Sequence, residues 1–121
     1  MLNAQQQEIY ARYKQPEHGG HLEDATYRLD GANPLCGDEI HLDVLLDPEG
    51  RIARITHYCR ACAICTAAAD LLPELVGGMT LIEITSLDSS IVTDRLGINL
   101  SPTRLKCALL PLETLRTGLD S

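Results

Sequence analysis

The sequence contains no tryptophan and no phenylalanine, and it has only four tyrosines among 121 residues. A core without large aromatic rings has to be packed from Leu, Ile, Val and Ala. The chain length fits one domain, so we treat residues 1–121 as a single domain. Because 45% of the residues are apolar and 22% are charged, the composition indicates a soluble globular protein.

The chain also lacks long apolar runs and an excess of positive charge. No apolar run approaches the roughly 20 residues that a membrane span needs. Residues 1–13 are polar and contain no apolar segment of a signal peptide, so we expect a cytoplasmic protein. The formal net charge of −7 disfavours binding to nucleic acid or to a membrane surface. A cation or a basic partner surface is the better expectation.

The clearest local prediction is a β-hairpin in the middle of the chain. Apolar and mostly polar residues alternate over 39–46, which predicts a half-buried strand. The next four residues, 47–50, read Asp-Pro-Glu-Gly and match a type I turn. Residues 51–58 are then expected to return as the second strand. A further short strand is predicted at 25–29, ahead of this hairpin.

Most of the predicted helices follow the strands. Asn3 and Gln6 form a capping-box pair for a first helix that ends near Pro16, and Thr80 and Glu83 form another such pair. The spacing predicts an Ala-rich helix over 62–72 with a break or kink at Pro73, a helix over 84–96, and a last helix over 102–116 that Pro111 kinks or divides into two. Strands followed by helices indicate an α+β fold, with the helices on one face of a small antiparallel sheet.

The five cysteines are the main chemical signal. An odd number does not suit a pure disulfide framework, and in a reducing compartment clustered cysteines more often serve metal or thiol chemistry. We predict that Cys36, Asp38, Cys62 and Cys107 form one site. Thiolates are stabilised near helix starts, where Cys62 and Cys107 are predicted to lie, and Asp38 is separated from Cys36 only by Gly37. Such a set suits Zn²⁺ or iron with sulfide, and the carboxylate is the more exchangeable ligand.

Three segments of the chain resemble a known family. Residues 33–38, Asn-Pro-Leu-Cys-Gly-Asp, resemble the first signature of the U-type iron–sulfur cluster assembly scaffolds, namely IscU, SufU and the N-terminal domain of NifU. The segment that begins at Cys62 resembles their second cysteine segment, and its register to Gly78 favours Cys62 over its neighbours. Residues 104–110 around Cys107 resemble their third segment.

This resemblance implies a three-stranded antiparallel sheet with helices packed on it. It implies that Cys36, Cys62 and Cys107 accept sulfur and hold a transient [2Fe-2S] cluster or Zn²⁺, with Asp38 as fourth ligand. It further implies a cysteine desulfurase, an iron donor and apo-protein acceptors as partners. The expected role is that of a scaffold rather than an enzyme.

The sequence departs from the family pattern in several ways, and one is that it lacks the insertion that SufU proteins carry between the second and third cysteine segments. Lys106 stands before the third cysteine, where IscU proteins have histidine and SufU proteins have lysine, and it is a candidate to lower the pKa of nearby thiols. Cys59 and Cys65 are additional to the pattern, so each is a candidate auxiliary ligand, resolving thiol or packing residue. His57 is a further, minor ligand candidate because it is close in sequence to the cysteines at 59, 62 and 65.

Three alternatives to the scaffold remain open at this stage. One is a zinc-dependent sulfur-transfer protein of the SufU type. Another is a dithiol oxidoreductase that uses a C-x-x-C pair, Cys59 with Cys62 or Cys62 with Cys65, at the start of a helix. The last is a structural zinc module with no transfer role.

Overall fold

The computed structural model describes residues 2–119, so the ends of the predicted domain, Met1, Asp120 and Ser121, lie outside the described residues. The predicted α+β fold, with helices packed on a three-stranded antiparallel sheet, is confirmed. In chain order the elements are α1 (Ala4–Lys14), β1 (Tyr27–Asn33), β2 (Asp38–Leu46), β3 (Ile52–Arg60), α2 (Ala63–Val76), α3 (Leu81–Thr85), α4 (Ser90–Leu96) and α5 (Pro102–Leu119). No helix in this part of the chain has the length and apolar character needed to cross a bilayer.

The sheet has the order β1-β2-β3, and both pairings are antiparallel. The predicted hairpin is confirmed as β2 and β3. Its turn is held by Asp47, because the Oδ1 atom accepts backbone hydrogen bonds from Glu49 and Arg51, each at 2.9 Å. The first strand is longer than predicted and begins later, at Tyr27 instead of residue 25. It runs to Asn33, because its ladder with β2 continues as far as the pair Asn33–Asp38.

The helices cover one face of this sheet. Helix α5 packs on β1, α2 packs on β3, the two helices contact each other, and α1 packs on α2. On β2 the side chains of Leu42 and Val44 are fully buried under this layer. The largest fully buried apolar side chains are Leu, Ile and Val, as the absence of large aromatic residues predicts.

The capping predictions are confirmed, whereas the helix predicted over 84–96 is wrong. Reciprocal capping boxes are present at Asn3 with Gln6 and at Thr80 with Glu83. The single helix expected over 84–96 is instead two short helices, α3 and α4. The chain turns between them because the Asp88 side chain accepts the backbone N–H of the residue two positions on, at 2.9 Å.

The prolines do not end their helices. Pro73 lies inside α2 and Pro111 lies inside α5, and both helices are continuous through them, so the predicted division of the last helix is wrong. Proline in a helix interior removes one hydrogen bond and disfavours the helix by about 3 kcal/mol. Burial of α2 and α5 between the sheet and the other helices offsets that cost.

The outer face of β2 carries a buried carboxylate where the alternation predicts a solvated one. Asp43 is fully buried and accepts hydrogen bonds from Arg28 at 2.9 Å, from the backbone of Leu22 at 2.9 Å and from the Nε2 atom of His41 at 2.6 Å. The other ring nitrogen of His41 lies 2.9 Å from Asp30. Burial lowers the pKa of His41, but the two carboxylates outweigh this effect and raise the pKa above its ordinary value.

Candidate metal and sulfur site

The connection between β1 and β2 presents the first two predicted ligands. Asn33 ends β1 and Asp38 begins β2, and they pair across the ladder, so the residues between them form a tight hairpin turn. Within it the Cys36 backbone N–H donates to the Asn33 carbonyl at 3.2 Å. Gly37 has φ = 71°, a conformation that side chains disfavour. The turn leaves Cys36 exposed and places the Asp38 carboxylate in the interior, with 1% of the residue exposed.

The third ligand comes from helix α5. Cys107 lies in the second turn of this helix, which begins at Pro102 as predicted, and it is fully buried. Its thiol donates to the backbone carbonyl of Thr103 at 3.5 Å. The Cys36 sulfur, a carboxylate oxygen of Asp38 and the Cys107 sulfur all lie within 4.8 Å of one another. Three of the four predicted ligands therefore converge.

The fourth predicted ligand, Cys62, adjoins this group but its sulfur is not part of it. Cys62 is the N-cap of α2, and its sulfur accepts the backbone N–H of Cys65 at 3.4 Å. Its own backbone N–H donates to the Oδ1 atom of Asp38 at 3.0 Å. The Cys62 side chain is also one of the groups that raise the pKa of Cys107. A four-ligand site with Cys62 requires that its sulfur release the backbone N–H of Cys65.

The donor atoms of the converged group suit a metal ion. Burial, with contributions from Asp38, Cys36 and Cys62, raises the pKa of the Cys107 thiol well above its ordinary range. The Oδ2 atom of Asp38 is buried and has no hydrogen-bond partner among the described residues. A buried carboxylate oxygen without a partner is costly, and a bound metal removes that cost. Thiols with one carboxylate are also the donor types that zinc and iron–sulfur clusters take, so the residues fit such a group.

Lys106 and the exposed side of the site form a small cavity. Its volume is about 310 Å³, and it is lined by Leu35, Cys36, Pro102, Thr103 and Lys106. Leu35, at the tip of the turn, is 78% exposed. A reactant can therefore reach Cys36 from solvent. The raised pKa of the adjacent Cys107 gives no support to a role of Lys106 in stabilising a buried thiolate.

The two additional cysteines differ in their surroundings. Cys65 is fully buried in the core, and burial raises the pKa of its thiol well above the ordinary range, so it has the environment of a packing residue. Cys59 is only half-buried, and its sulfur lies 3.4 Å from the Nδ1 atom of His57. Burial, then the charges of Asp70 and Asp38, raise the pKa of Cys59 to about 12.

Sequence reasoning did not identify the polar cluster around Asp70. This residue is fully buried in α2, and it accepts hydrogen bonds from His57 at 2.9 Å, from Arg12 at 2.9 Å and from the backbone of His18 and Glu17 at 2.8 and 3.1 Å. The signal was present in the sequence. An aspartate that directly follows three alanines and precedes two leucines in a largely apolar helix needs a buried partner.

Comparison with protein families and curated proteins places this geometry among known relatives. Residues 4–121 match the family described as the NifU-like N terminal domain. The chain is 26% identical over 118 residues to the mitochondrial iron sulfur cluster assembly protein 1 of Yarrowia lipolytica, with 94% of the chain and 64% of that protein covered. It is 29% identical over 132 residues to the zinc-dependent sulfurtransferase SufU of Bacillus subtilis, with 93% and 87% covered.

Solved structures share the fold. A protein of Fervidobacterium islandicum AW-1, described as an iron–sulfur cluster assembly scaffold protein for the SUF system, superposes with a TM-score of 0.76. Its sequence is 26% identical, and the match covers 93% of each chain. The likeness therefore extends over nearly the whole molecule and includes the three elements that carry the converging ligands.

Proposed function

Because this chain belongs to the family of NifU-like N terminal domains, we propose that it is a scaffold on which iron–sulfur clusters are assembled. In this proposal it accepts sulfur from a cysteine desulfurase, receives iron, builds a [2Fe-2S] cluster on Cys36, Asp38, Cys62 and Cys107, and passes the cluster to apo-proteins. The observation that carries the proposal is the convergence of two thiols and a partnerless carboxylate oxygen within 4.8 Å.

The proposed roles of the four ligands differ with their exposure to solvent. Cys36 is exposed at the tip of a turn, so its sulfur is the one that a donor protein reaches first. Attack on a persulfide needs a thiolate and access, and Cys36 has the access. Cys107 and Asp38 are buried and supply donors on the inner side, where water is excluded. Cys62 completes the set when its sulfur gives up the Cys65 backbone N–H.

In this proposal no substrate is turned over, so the protein acts as a scaffold and sulfur acceptor rather than as an enzyme. Its reaction partners are the cysteine desulfurase, an iron donor and the acceptor proteins. The proposed compartment is the cytoplasm, where thiols stay reduced. The net charge of −7 favours contact with basic surfaces on these partners.

A zinc-dependent sulfur-transfer role is the second candidate. The relative from Bacillus subtilis is named as a zinc-dependent sulfurtransferase, and the residue before the third cysteine here is Lys106, as in proteins of the SufU type. Zinc would use the same four donors. The dithiol alternative has less support, because the sheet of the described residues is antiparallel throughout and offers no βαβ unit of the thioredoxin type.

Metal analysis of the anaerobically purified chain separates the two candidates. Zinc, iron and acid-labile sulfide are measured before and after addition of a cysteine desulfurase, cysteine and ferrous iron. Iron and sulfide in equal amounts support the scaffold. One tightly held zinc without iron uptake supports sulfur transfer, and a reversible disulfide without metal would overturn both. Cys107→Ser is expected to abolish metal binding, whereas the matched core variant Cys65→Ser is expected to retain most of it.

The carboxylate can be tested with two substitutions. Asp38→Ala removes both the ligand oxygen and the acceptor of the Cys62 N–H, whereas Asp38→Asn keeps an oxygen for that N–H and loses only the anionic ligand. Both variants are expected to hold an assembled cluster longer than the wild type, because the exchangeable ligand is gone. The decay of cluster absorbance in the presence of a chelator measures this. Unchanged or shorter lifetimes in both would contradict the ligand role, and a longer lifetime in Asp38→Ala alone would assign the effect to the Cys62 contact.

A further inference from the structure

A second thiol arrangement lies beside the cluster site and uses none of its four proposed ligands. The sulfur of Cys59 is 3.4 Å from Nδ1 of His57, and Nε2 of the same ring is 2.9 Å from a carboxylate oxygen of Asp70. A thiol, an imidazole and a carboxylate thus follow one another in hydrogen-bonding distance. This is the order in which a nucleophile, its base and the group that orients the base are arranged in thiol catalysis.

The buried carboxylate determines where the protons are. Burial raises the pKa of Asp70, but hydrogen bonds from His57, the backbone of His18 and Glu17, and Arg12 outweigh burial and hold the pKa well below its usual range. An ionised Asp70 can only accept, so Nε2 of His57 carries the hydrogen. With the hydrogen on Nε2, the Nδ1 atom offers its lone pair to the thiol of Cys59, whose sulfur lies 3.4 Å away.

The Cys59 thiol also has access to a reactant. It lines a cavity of about 430 Å³, together with Tyr13, Gly19, His57, Arg60 and other residues, and none of the four proposed cluster ligands lines it. Cys65 provides the contrast within this chain, because it is fully enclosed and lines none of the cavities described here. A cysteine that only fills space needs neither a base nor an opening to solvent.

We propose that Cys59 is a second sulfur-accepting thiol, served by His57 as general base and separate from the cluster ligands. Its substrate class is the persulfide R–S–SH, and this assignment rests on the sulfur-accepting function proposed above. The Cys59 proton moves to Nδ1 of His57 while the Cys59 sulfur attacks the terminal sulfur of the persulfide. The S–S bond of the persulfide breaks, and R–S⁻ leaves as a thiolate that takes the proton from His57. The products are R–SH and a Cys59 persulfide, and no external oxidant or reductant is needed.

Two sources could supply that persulfide. One is a low-mass persulfide that enters the cavity from solvent. The other is a persulfide already formed on Cys62, three residues along the chain. The two sources present the same chemistry to Cys59 and differ in whether Cys62 is needed.

Digestion with trypsin, which cuts after Lys and Arg, shows which cysteines carry added sulfur. Cys59 is the sole cysteine of peptide 55–60, Cys62 and Cys65 fall together on 61–95, and the remaining two are separate on 29–51 and 107–116. The full chain is treated anaerobically with cysteine persulfide, or with a cysteine desulfurase and cysteine. At each time point the free thiols are blocked and the chain is digested without reductant. The mass of each peptide is then measured by mass spectrometry.

We expect one added sulfur atom on peptide 55–60 in the wild type. His57→Gln is expected to slow that loading about 100-fold, the contribution of a general base, while His21→Gln, a control at a histidine whose side chain is 62% exposed, leaves it unchanged. With cysteine persulfide as the donor, loading that persists in Cys62→Ser identifies the low-mass source, and loading lost in that variant identifies Cys62. If His57→Gln does not fold, native and urea-unfolded wild type are compared, and the share of sulfur on 55–60 is expected to be higher in the native chain.

The same digest keeps the two proposals apart. Sulfur on the peptides of Cys36, Cys62 and Cys107 with none on 55–60 would overturn the inference and leave the proposed function in place. Sulfur on 55–60 alone would support the inference and count against sulfur acceptance by the cluster ligands. Equal loading rates in wild type and a folded His57→Gln variant would also overturn it, as would an equal or lower share on 55–60 in the native chain.

Discussion

Replacing Arg12 by methionine should destabilise the protein by about 3 kcal/mol. The guanidinium lies 2.9 Å from Asp70 and 2.9 Å from Glu74, and the exposed fractions of the Arg12 and Asp70 side chains are 9% and 0%. Removing one partner of a buried ion pair typically costs about 3–5 kcal/mol, because it leaves the other charge uncompensated. Asp70 keeps its hydrogen bonds from His57 and from two backbone N–H groups, so the lower end of that range applies.

Urea unfolding followed by circular dichroism measures this loss, and Arg95→Met is its matched control. Arg95 makes two 2.7 Å contacts to Glu8, shorter than those of Arg12, but the two side chains are 37% and 35% exposed. Exposed pairs contribute about 1 kcal/mol or less, so the control should lose far less stability. Equal losses in the two variants, or a loss below about 1 kcal/mol in Arg12→Met, would refute the reasoning from burial.

The difference in free energy of unfolding between Arg12→Met and the wild type should depend on pH. The pKa of Asp70 is lowered in the folded wild type, so its contribution to stability is present above the ordinary aspartate pKa of about 3.8 and is lost as the pH falls below it. Without Arg12 that pKa is lowered less. The two stabilities should therefore converge in strong acid, and a difference that stays constant down to about pH 2 would contradict the assignment.

Two further predictions concern the sheet. His41, whose folded pKa is raised by Asp30 and Asp43, contributes stability that is complete below the ordinary histidine pKa of about 6.5 and is lost as the pH rises through the raised value. His41→Gln should therefore cost more stability in urea unfolding at about pH 5.5 than at about pH 9, and a loss independent of pH would contradict this. Gly31→Ala should cost about 1–3 kcal/mol by overpacking, because a Cβ atom there would lie 2.0 Å from the hydroxyl of Thr114; an unchanged urea midpoint would show that α5 yields without cost.

The main features of the site could be predicted from local sequence, because its ligands lie in segments with strong local signals. The turn that carries Cys36 and Asp38 is indicated by Pro34 and Gly37, and the β2–β3 hairpin by its alternation and turn residues. The approach of Cys107 to that turn depends on how α5 packs across the sheet. That packing is tertiary, so here the resemblance to known scaffolds supplied what composition and spacing could not.

The errors also have physical causes. The prolines at 73 and 111 were expected to break or kink their helices, because proline is unfavourable in the interior of an isolated helix. Burial of α2 and α5 offsets that free-energy cost. The helix expected over 84–96 ignored Asp88, whose side chain competes for the backbone N–H of Ser90. The contact between His57 and Asp70 could not be predicted, because these residues meet only after α2 has packed on β3.

The sharing of Asp70 between Arg12 and His57 bears on how this chain can change in evolution. A mutation at Asp70 removes the partner of the ion pair and the partner of the imidazole in a single step. A mutation at Cys59, by contrast, leaves the buried ion pair intact. Mutation of Cys59 can therefore remove the second thiol while the fold is retained. Mutation of Asp70 would deprive His57 of its partner and would also weaken the attachment of α1 to α2.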